Sequence, residues 1–390
     1  MKSVIRLLGI ASLVALGTPF AQAQTPGVTR DQVVVGSTSP QTGSVASYCK
    51  PMIDGALAWF AKVNAKGGVH GRKIVNKVLD DQYSAPQALA NARQLAEEGI
   101  FAFFGGCGSM QPPAVQQVAV PAKIPYVFPN AGVPQVVPDP NFRSINPLWA
   151  DQLQAVTEWA MKKHGAGRAF LVNQRAPAFD ANVAGMKAGV AAGGGTIVGD
   201  EAMVVNEPDF TPLVLKMKAA RPDYMIIAAA ASDVARLIKT MHAQQAMPAK
   251  FILSNSALLN EAFLEPVRGL VDGKILTPQM IAAATSDKSG ECTSAFKEFG
   301  AGLRPDAQSL YGCVVAQTLV AALEDAGKDL TREGFLKAID GWNRKAVSPL
   351  IPPLSFVGGR HIGMSTMTVG GVEKGELKDI EGQLVPMPAR

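Results

Sequence analysis

Three short patterns in this chain have the residue types that catalysis or cofactor binding needs. Ser47-Tyr48-Cys49-Lys50 has the Ser-x-x-Lys spacing that sets a serine nucleophile beside a lysine on one helical turn. Ser294 to Lys297 has it too, and no Ser-Asp-Asn or Lys-Thr-Gly element accompanies either. Gly106-x-Gly108 follows an apolar run as a dinucleotide fingerprint would, but the third glycine is missing and Pro112-Pro113 occupies the helix start. The adjacent acids Asp80 and Asp81 close a β-branched run. Neighbouring strand residues point to opposite faces, so they do not form an acid/base pair. The sequence holds no Gly-x-Ser-x-Gly elbow, no His-Glu-x-x-His and no phosphate loop, and His70, His164, His242 and His361 are scattered. No catalytic residue, metal or cofactor is therefore expected, and hydrolysis is the weakest of the functions the chain could have.

The elements around these residues alternate regularly. Val33 to Gly36, Lys73 to Asp81 and Phe101 to Gly106 are short strand-like runs, separated by the amphipathic stretches Tyr48 to Ala65 and Pro86 to Glu98. The rhythm returns with Arg168 to Asn173, Gly195 to Gly199, Asp223 to Ala229 and Phe251 to Ser254, spaced by helices over 180–192, 211–220 and 232–245. Strands spaced by helices imply parallel sheets with right-handed crossovers, so the fold class is α/β with two doubly wound lobes of about five strands each. Ser84 to Gln87 reads as a capping box with proline in the first turn. In doubly wound folds ligands sit beyond the carboxyl ends of strands. That draws attention to Ser37 to Ser44 and to Gly105 to Pro113, both small and hydroxyl- or glycine-rich.

Apolar residues make up 47% and charged residues 18% of the 390, ordinary for a globular chain and long enough for two domains. Lys2 and Arg6 precede the apolar stretch Leu7 to Leu16, and Ala21-Gln22-Ala23 gives a small-x-small cleavage site, so residues 1–23 read as a secretory signal peptide. Gln24, not cysteine, follows the cut, which argues against a lipoprotein anchor. The formal net charge of +5 falls by two on removing Lys2 and Arg6, and no basic cluster points to nucleic acid. Export places Cys49, Cys107, Cys292 and Cys313 in an oxidising compartment, where two disulfides could form in any of three pairings.

The stretches Asp54 to Phe60 and Val63 to Ile74 ("VNAKGGVHGRKI"), followed by Asp80-Asp81, closely resemble the branched-chain-amino-acid (Leu/Ile/Val) binding protein family. These are type I periplasmic substrate-binding proteins of ABC importers. Phe104 to Ser109, Ile124 to Pro129 and Val314 to Glu333 carry the resemblance along the mature chain. It implies two Rossmann-like lobes joined by three crossovers, a small-molecule ligand captured by hinge closure, a membrane permease as partner, a periplasmic location and a monomer. On that plan lobe one is residues 28–146 and 277–349 and lobe two is 147–276 and 350–383. The crossings fall near Asn146-Pro147, Leu276-Thr277 and Pro349 to Pro353.

The resemblance also implies the ligand contacts. In lobe one they are Gln41, Ser44, Tyr48, Cys107, Gly108, Ser109, Asn130, Ala131 and Gly132; in lobe two they are Trp149, Phe179, Ala230 and Asn255. Cys49 and Cys107 fall on neighbouring loops of lobe one, which makes them a plausible disulfide and leaves Cys292 with Cys313. Family members that bind amino acids hold the ammonium with an acid and tyrosines of lobe two. Here Asn255 stands for the acid, Ala230 and Ala231 for a tyrosine, and Gly132 for a threonine of lobe one. A buried ammonium without a carboxylate is costly, so an aromatic or branched carboxylic acid is the favoured ligand. An amino acid, an amide, and a sensor that presents its ligand to a receptor are the alternatives.

Overall fold

The computed structural model describes residues 25–388 apart from 44, 109, 110, 131, 133, 176–179, 205, 259, 260 and 283–285. The proposed signal peptide, and Ser44, Ser109, Ala131 and Phe179 of the expected contacts, lie outside the described residues. Among the described residues no helix is long and apolar enough to cross a membrane.

The first half of the chain builds a parallel five-stranded sheet. Its strands are β1 (Gln32–Ser39), β2 (Lys73–Asp80), β3 (Ala102–Phe104), β4 (Tyr126–Val127) and β5 (Phe142–Arg143), in the order β2-β1-β3-β4-β5. The crossovers are α1 (Ala46–Ala65), α2 (Ala85–Glu97) and α3 (Gln111–Ala119). Helices cover both faces, so β3 is buried at every residue and the last five residues of β1 are buried too. The Ser84 side chain caps α2 by accepting from the Gln87 amide at 3.5 Å, with Pro86 in the first turn. Only half of the expected capping box forms, because the Gln87 side chain donates onward to Asn91 at 2.9 Å.

The chain then enters a second sheet through α4 (Trp149–His164). Here β6 (Arg168–Gln174), β7 (Thr196–Met203), β8 (Tyr224–Ala228), β9 (Phe251–Leu253) and β10 (Ile275–Gln279) alternate with α5 (Asp180–Ala192), α6 (Thr211–Ala220), α7 (Ala231–Ala243) and α8 (Glu261–Val267). This sheet has seven strands, not about five. The antiparallel hairpin β11 (Thr366–Glu373) and β12 (Glu376–Pro386) extends it, giving β12-β11-β10-β9-β8-β6-β7. Lys374 and Gly375, both at positive φ, make the two-residue turn that matches strand twist. Pairing with β11 keeps β10 in the sheet through Gln279, so Leu276 and Thr277, read from sequence as a crossing, lie inside a strand.

After β10 the chain returns to the first lobe as α9 (Gly290–Phe299), α10 (Ala307–Ala326) and α11 (Arg332–Asp340), with α9 and α10 packed against α1. Arg143, buried at the end of β5, ties α11 in through two hydrogen bonds to Asp340, at 2.6 and 2.8 Å. The stretches that join the two lobes bond to one another. Ser144 accepts from the Gly363 amide and donates to the His361 carbonyl, both at 2.8 Å, and the Ala282 amide donates to Leu350 at 2.8 Å.

Candidate functional site

Of the expected contacts of lobe one, Gln41 follows β1, Cys107 and Gly108 follow β3, Asn130 and Gly132 follow β4, and Tyr48 lies in the first turn of α1. Cys107 and Asn130 form a parallel bridge just beyond β3 and β4. The Asn130 amide donates to Gly106 at 2.9 Å, and Gly108 donates back to the Asn130 carbonyl at 3.3 Å. The Gly108 N–H is therefore already engaged within the loop. Cys107 is joined to Cys49 of α1, and Cys292 to Cys313, so both expected pairings form. Gly108 sits at φ +111 with the Tyr83 ring and the Gln111 amide so close that any Cβ would collide with them.

From Asn130 a polar chain runs inward. Its Nδ2 donates to the Tyr48 hydroxyl at 3.5 Å and to the Met52 sulfur at 3.2 Å, while its Oδ1 accepts from Asn146 Nδ2 at 3.1 Å. The same Asn146 nitrogen donates to the Tyr311 hydroxyl of α10 at 2.7 Å. Burial raises both phenols: Tyr48, although the Asn130 hydrogen bond opposes it, and Tyr311, against its bond from Asn146. Both stay protonated and able to donate at neutral pH. Gly132 lies under the indole of Trp149, where a Cβ would stand 2.5 Å from the ring, and its carbonyl accepts from the Trp149 amide at 3.3 Å. Glycine in place of threonine is thus a requirement of the tryptophan packed on it.

In lobe two, Ala230 and Asn255 follow the adjacent strands β8 and β9. The Ala230 amide donates to Gln174 Oε1 at 3.0 Å, and Gln174 in turn donates to the buried Asp233 at 2.7 Å. Asp233 also accepts from the Asn206 amide and from Arg236. Asn255 is 3% exposed and uses its side-chain oxygen to accept from Ala257 at 3.1 Å. Gln152 of α4 joins this loop to the first crossing, accepting from Ser256 and donating to Pro147, both at 2.9 Å. Among the described residues no hydrogen bond connects the Tyr48–Asn130 group with Ala230 or Asn255.

Gln41 and the two acids read as structure. Asp80 accepts from Gln41, Gln82 and the Thr42 hydroxyl, fixing the loop after β1. Burial raises Asp80, but the Thr42 hydroxyl and the Gln41 and Gln82 amides outweigh it and hold the carboxyl below its ordinary value. Asp81 is fully buried against Thr38, Gln111 and Tyr83, and there burial prevails and pushes it up. A lowered carboxyl stabilises the fold above its unfolded pKa, about 4, and loses that contribution as pH falls through the folded value. Asp80→Asn is therefore expected to lower the urea midpoint at pH 6 and to converge on wild type toward pH 3. An equal loss at both pH values would contradict it.

Asn146, Tyr311, Gln152 and Gln174 were not among the expected contacts. Only Asn146, at the Asn-Pro step of the first crossing, carried a signal that could have found it. Among the described residues no group of histidine, cysteine and acidic side chains could hold a metal ion.

A family model described as "Periplasmic binding protein" matches residues 32–376. The Leu/Ile/Val-binding protein BraC3 of Rhizobium johnstonii is 24% identical over 310 residues, covering 79% of this chain and 83% of that protein. Leu/Ile/Val-binding protein homolog 2 of Brucella abortus is 25% identical over 342 residues, covering 84% and 85%. Among solved structures, the solute binding protein of an ABC transporter from Rhodopseudomonas palustris BisB5, in complex with 3,4-dihydroxybenzoic acid, superposes with a TM-score of 0.76. It is 24% identical and covers 92% of this chain and 98% of that one. The fatty acid ABC transporter substrate-binding protein from Thermomonospora curvata has a TM-score of 0.79 at 19% identity, covering 94% and 98%. At these identities the solved structures establish the shared fold.

Proposed function

This chain belongs to the periplasmic binding protein family, and from that premise we propose that it captures a small aromatic or branched carboxylic acid between its lobes and delivers it to an ABC importer. The signal-like residues 1–23 support export to the periplasm. The lobes close about the three connecting stretches, near 146–148, after Gln279 and across 349–365. Ligand drives closure only through contacts that exist in the closed state alone.

The observation that carries the choice of ligand is Asn255. It stands where an amino-acid binder needs an acid, it is buried, and its own oxygen is held by the Ala257 amide. The carboxylate nearest in sequence to the Ala230 turn, Asp233, is already paired with Arg236 at 2.6 Å and cannot neutralise a ligand ammonium without breaking that pair. The relatives named for Leu, Ile and Val fit the branched side chain, and the Rhodopseudomonas protein supports an aromatic acid.

A thermal-shift series on residues 24–390 tests this. An acid present at a hundred times its Kd adds about 2.7 kcal/mol to the native state. Benzoates or branched aliphatic acids are expected to raise Tm while leucine and valine leave it unchanged. A strong leucine or valine shift would overturn the reading and return the chain to amino-acid uptake.

A further inference from the structure

The first connection between the lobes is fixed on either side of a single step, Asn146-Pro147. Before it, the Met364 amide donates to the Ile145 carbonyl and the Asn146 amide to Ser144 Oγ, both at 3.1 Å. The buried Asn146 side chain reaches Asn130 at 3.1 Å and the Tyr311 hydroxyl at 2.7 Å, both in lobe one. Turning both asparagine amides over keeps them joined, since Asn130 then donates to Asn146. Beyond the step, the Pro147 carbonyl accepts from Gln152 Nε2 and the Ser256 amide donates to Gln152 Oε1, both at 2.9 Å. Gln152 is fully buried, and its partners fix its orientation, because a carbonyl only accepts and a main-chain amide only donates. Consecutive residues are thus anchored to opposite lobes, Asn146 to the Asn130 loop and Pro147 to the turn that carries Asn255.

Little is free to turn between the two anchors. The peptide bond is trans, and the proline ring locks its own φ at about −65°. A residue before proline is held to extended backbone, with ψ between about +120 and about +160°. The ψ of Asn146 therefore carries the rotation, over an arc of about 40°. The Trp149 amide, which donates across the step to Gly132 at the longer distance of 3.3 Å, is the contact that such a turn stretches. We propose that this connection is a one-torsion pivot, with Asn146 and Gln152 as positioning residues that make the Asn130 loop and the Asn255 turn move with it as the lobes close. This rests on capture by lobe closure, as proposed above.

The test reads the lobe-to-lobe distance in ligand-free protein, by double electron–electron resonance between nitroxides on Ala90→Cys of α2 and Lys239→Cys of α7. Both positions are exposed, and the four native cysteines are paired, so the labels go to the new thiols. Wild type gives the reference width of the distance distribution. Pro147→Ala keeps both anchors and opens the ψ of Asn146 to the whole extended region, about +100 to +180°, so the distribution should become about twofold broader. Gln152→Glu separates positioning from packing. Its carboxylate faces the Pro147 carbonyl and breaks that anchor at alkaline pH, whereas the protonated acid donates to Pro147 again, so the width should return to that of wild type as pH falls. A wild-type width for folded Pro147→Ala, or a Gln152→Glu width that does not change with pH, overturns the proposal. The measurement needs no solute, so the choice of ligand can fail independently of it.

Discussion

Gly312→Ala is expected to destabilise the protein by about 3 kcal/mol or more, at or beyond the upper end of overpacking effects. The reason lies in the approach of α1 and α10. A Cβ on Gly312 would stand 1.9 Å from the Met52 carbonyl oxygen, and one on Gly55 would stand 2.0 Å from the Ser309 carbonyl oxygen. These neighbours are helix backbone, not the ends of flexible side chains, so relief requires moving one helix bodily away from the other. The interior of a close-packed domain does not supply that space. Met52 and Ala56 of α1 and Tyr311 and Val315 of α10 line a narrow cavity between them, so spreading the helices also deforms that cavity and the wall that Cys107 gives it. Gly290→Ala is the control. It begins α9 at a helical φ of −54, nothing lies within 4 Å of its Cβ position, and it is expected to be neutral or stabilising by up to about 1 kcal/mol. Urea unfolding of both variants reads the difference. A wild-type midpoint for Gly312→Ala would contradict the close crossing.

The βαβ alternation was legible because each central strand is buried on both faces and so reads as an unbroken apolar run. β6 and β8 are of this kind, and the runs seen at 168–173 and 223–229 fall on them within a residue or so. The hairpin β11–β12 was not legible. Gly370 and Gly371 interrupt its apolar pattern, and Gly370 is there because the Gln279 side chain packs where its Cβ would stand. The chain between the two passes through α9, α10 and α11 of the first lobe, so that contact leaves no local trace. The site divides in the same way. Cys107 was legible in the strand-end loop 105–113, where this topology presents ligand groups, whereas Asn130 was reached only through the family resemblance. Tyr311 was not legible, because it lies in the apolar run of α10, where a tyrosine reads as core, and only folding brings it to Asn146, 165 residues away in sequence. Gln174 is hidden for a related reason: it reaches the Ala230 amide across 56 residues.

The two disulfides are expected to differ in worth, and only one of them is expected to matter to the site. Cys49 and Cys107 are 58 residues apart, Cys292 and Cys313 only 21. In the chain-entropy account a cross-link stabilises by restricting the unfolded chain, and more so for a longer loop. Replacing Cys49 and Cys107 together by alanine is therefore expected to cost about 4 kcal/mol, and replacing Cys292 and Cys313 about 3 kcal/mol. All four positions are buried and alanine fits without strain, so unfolding free energies from urea, with the slope fitted for each variant because losing a cross-link expands the unfolded chain, should rank the two. The functional asymmetry is sharper than the difference in stability. Cys107 forms part of the cavity wall, and without its link to α1 the 105–108 loop keeps its main-chain bonds to Val127 and Asn130 alone. Ligand affinity should fall in the Cys49/Cys107 variant and stay at the wild-type value in the Cys292/Cys313 variant, whose bridge joins α9 to α10 away from the strand ends. Four titratable thiols in unreduced protein would remove the premise. Equal affinities in the two variants would mean that the strand-end loop holds its shape without the bridge, leaving the cavity's geometry to the α1–α10 crossing alone.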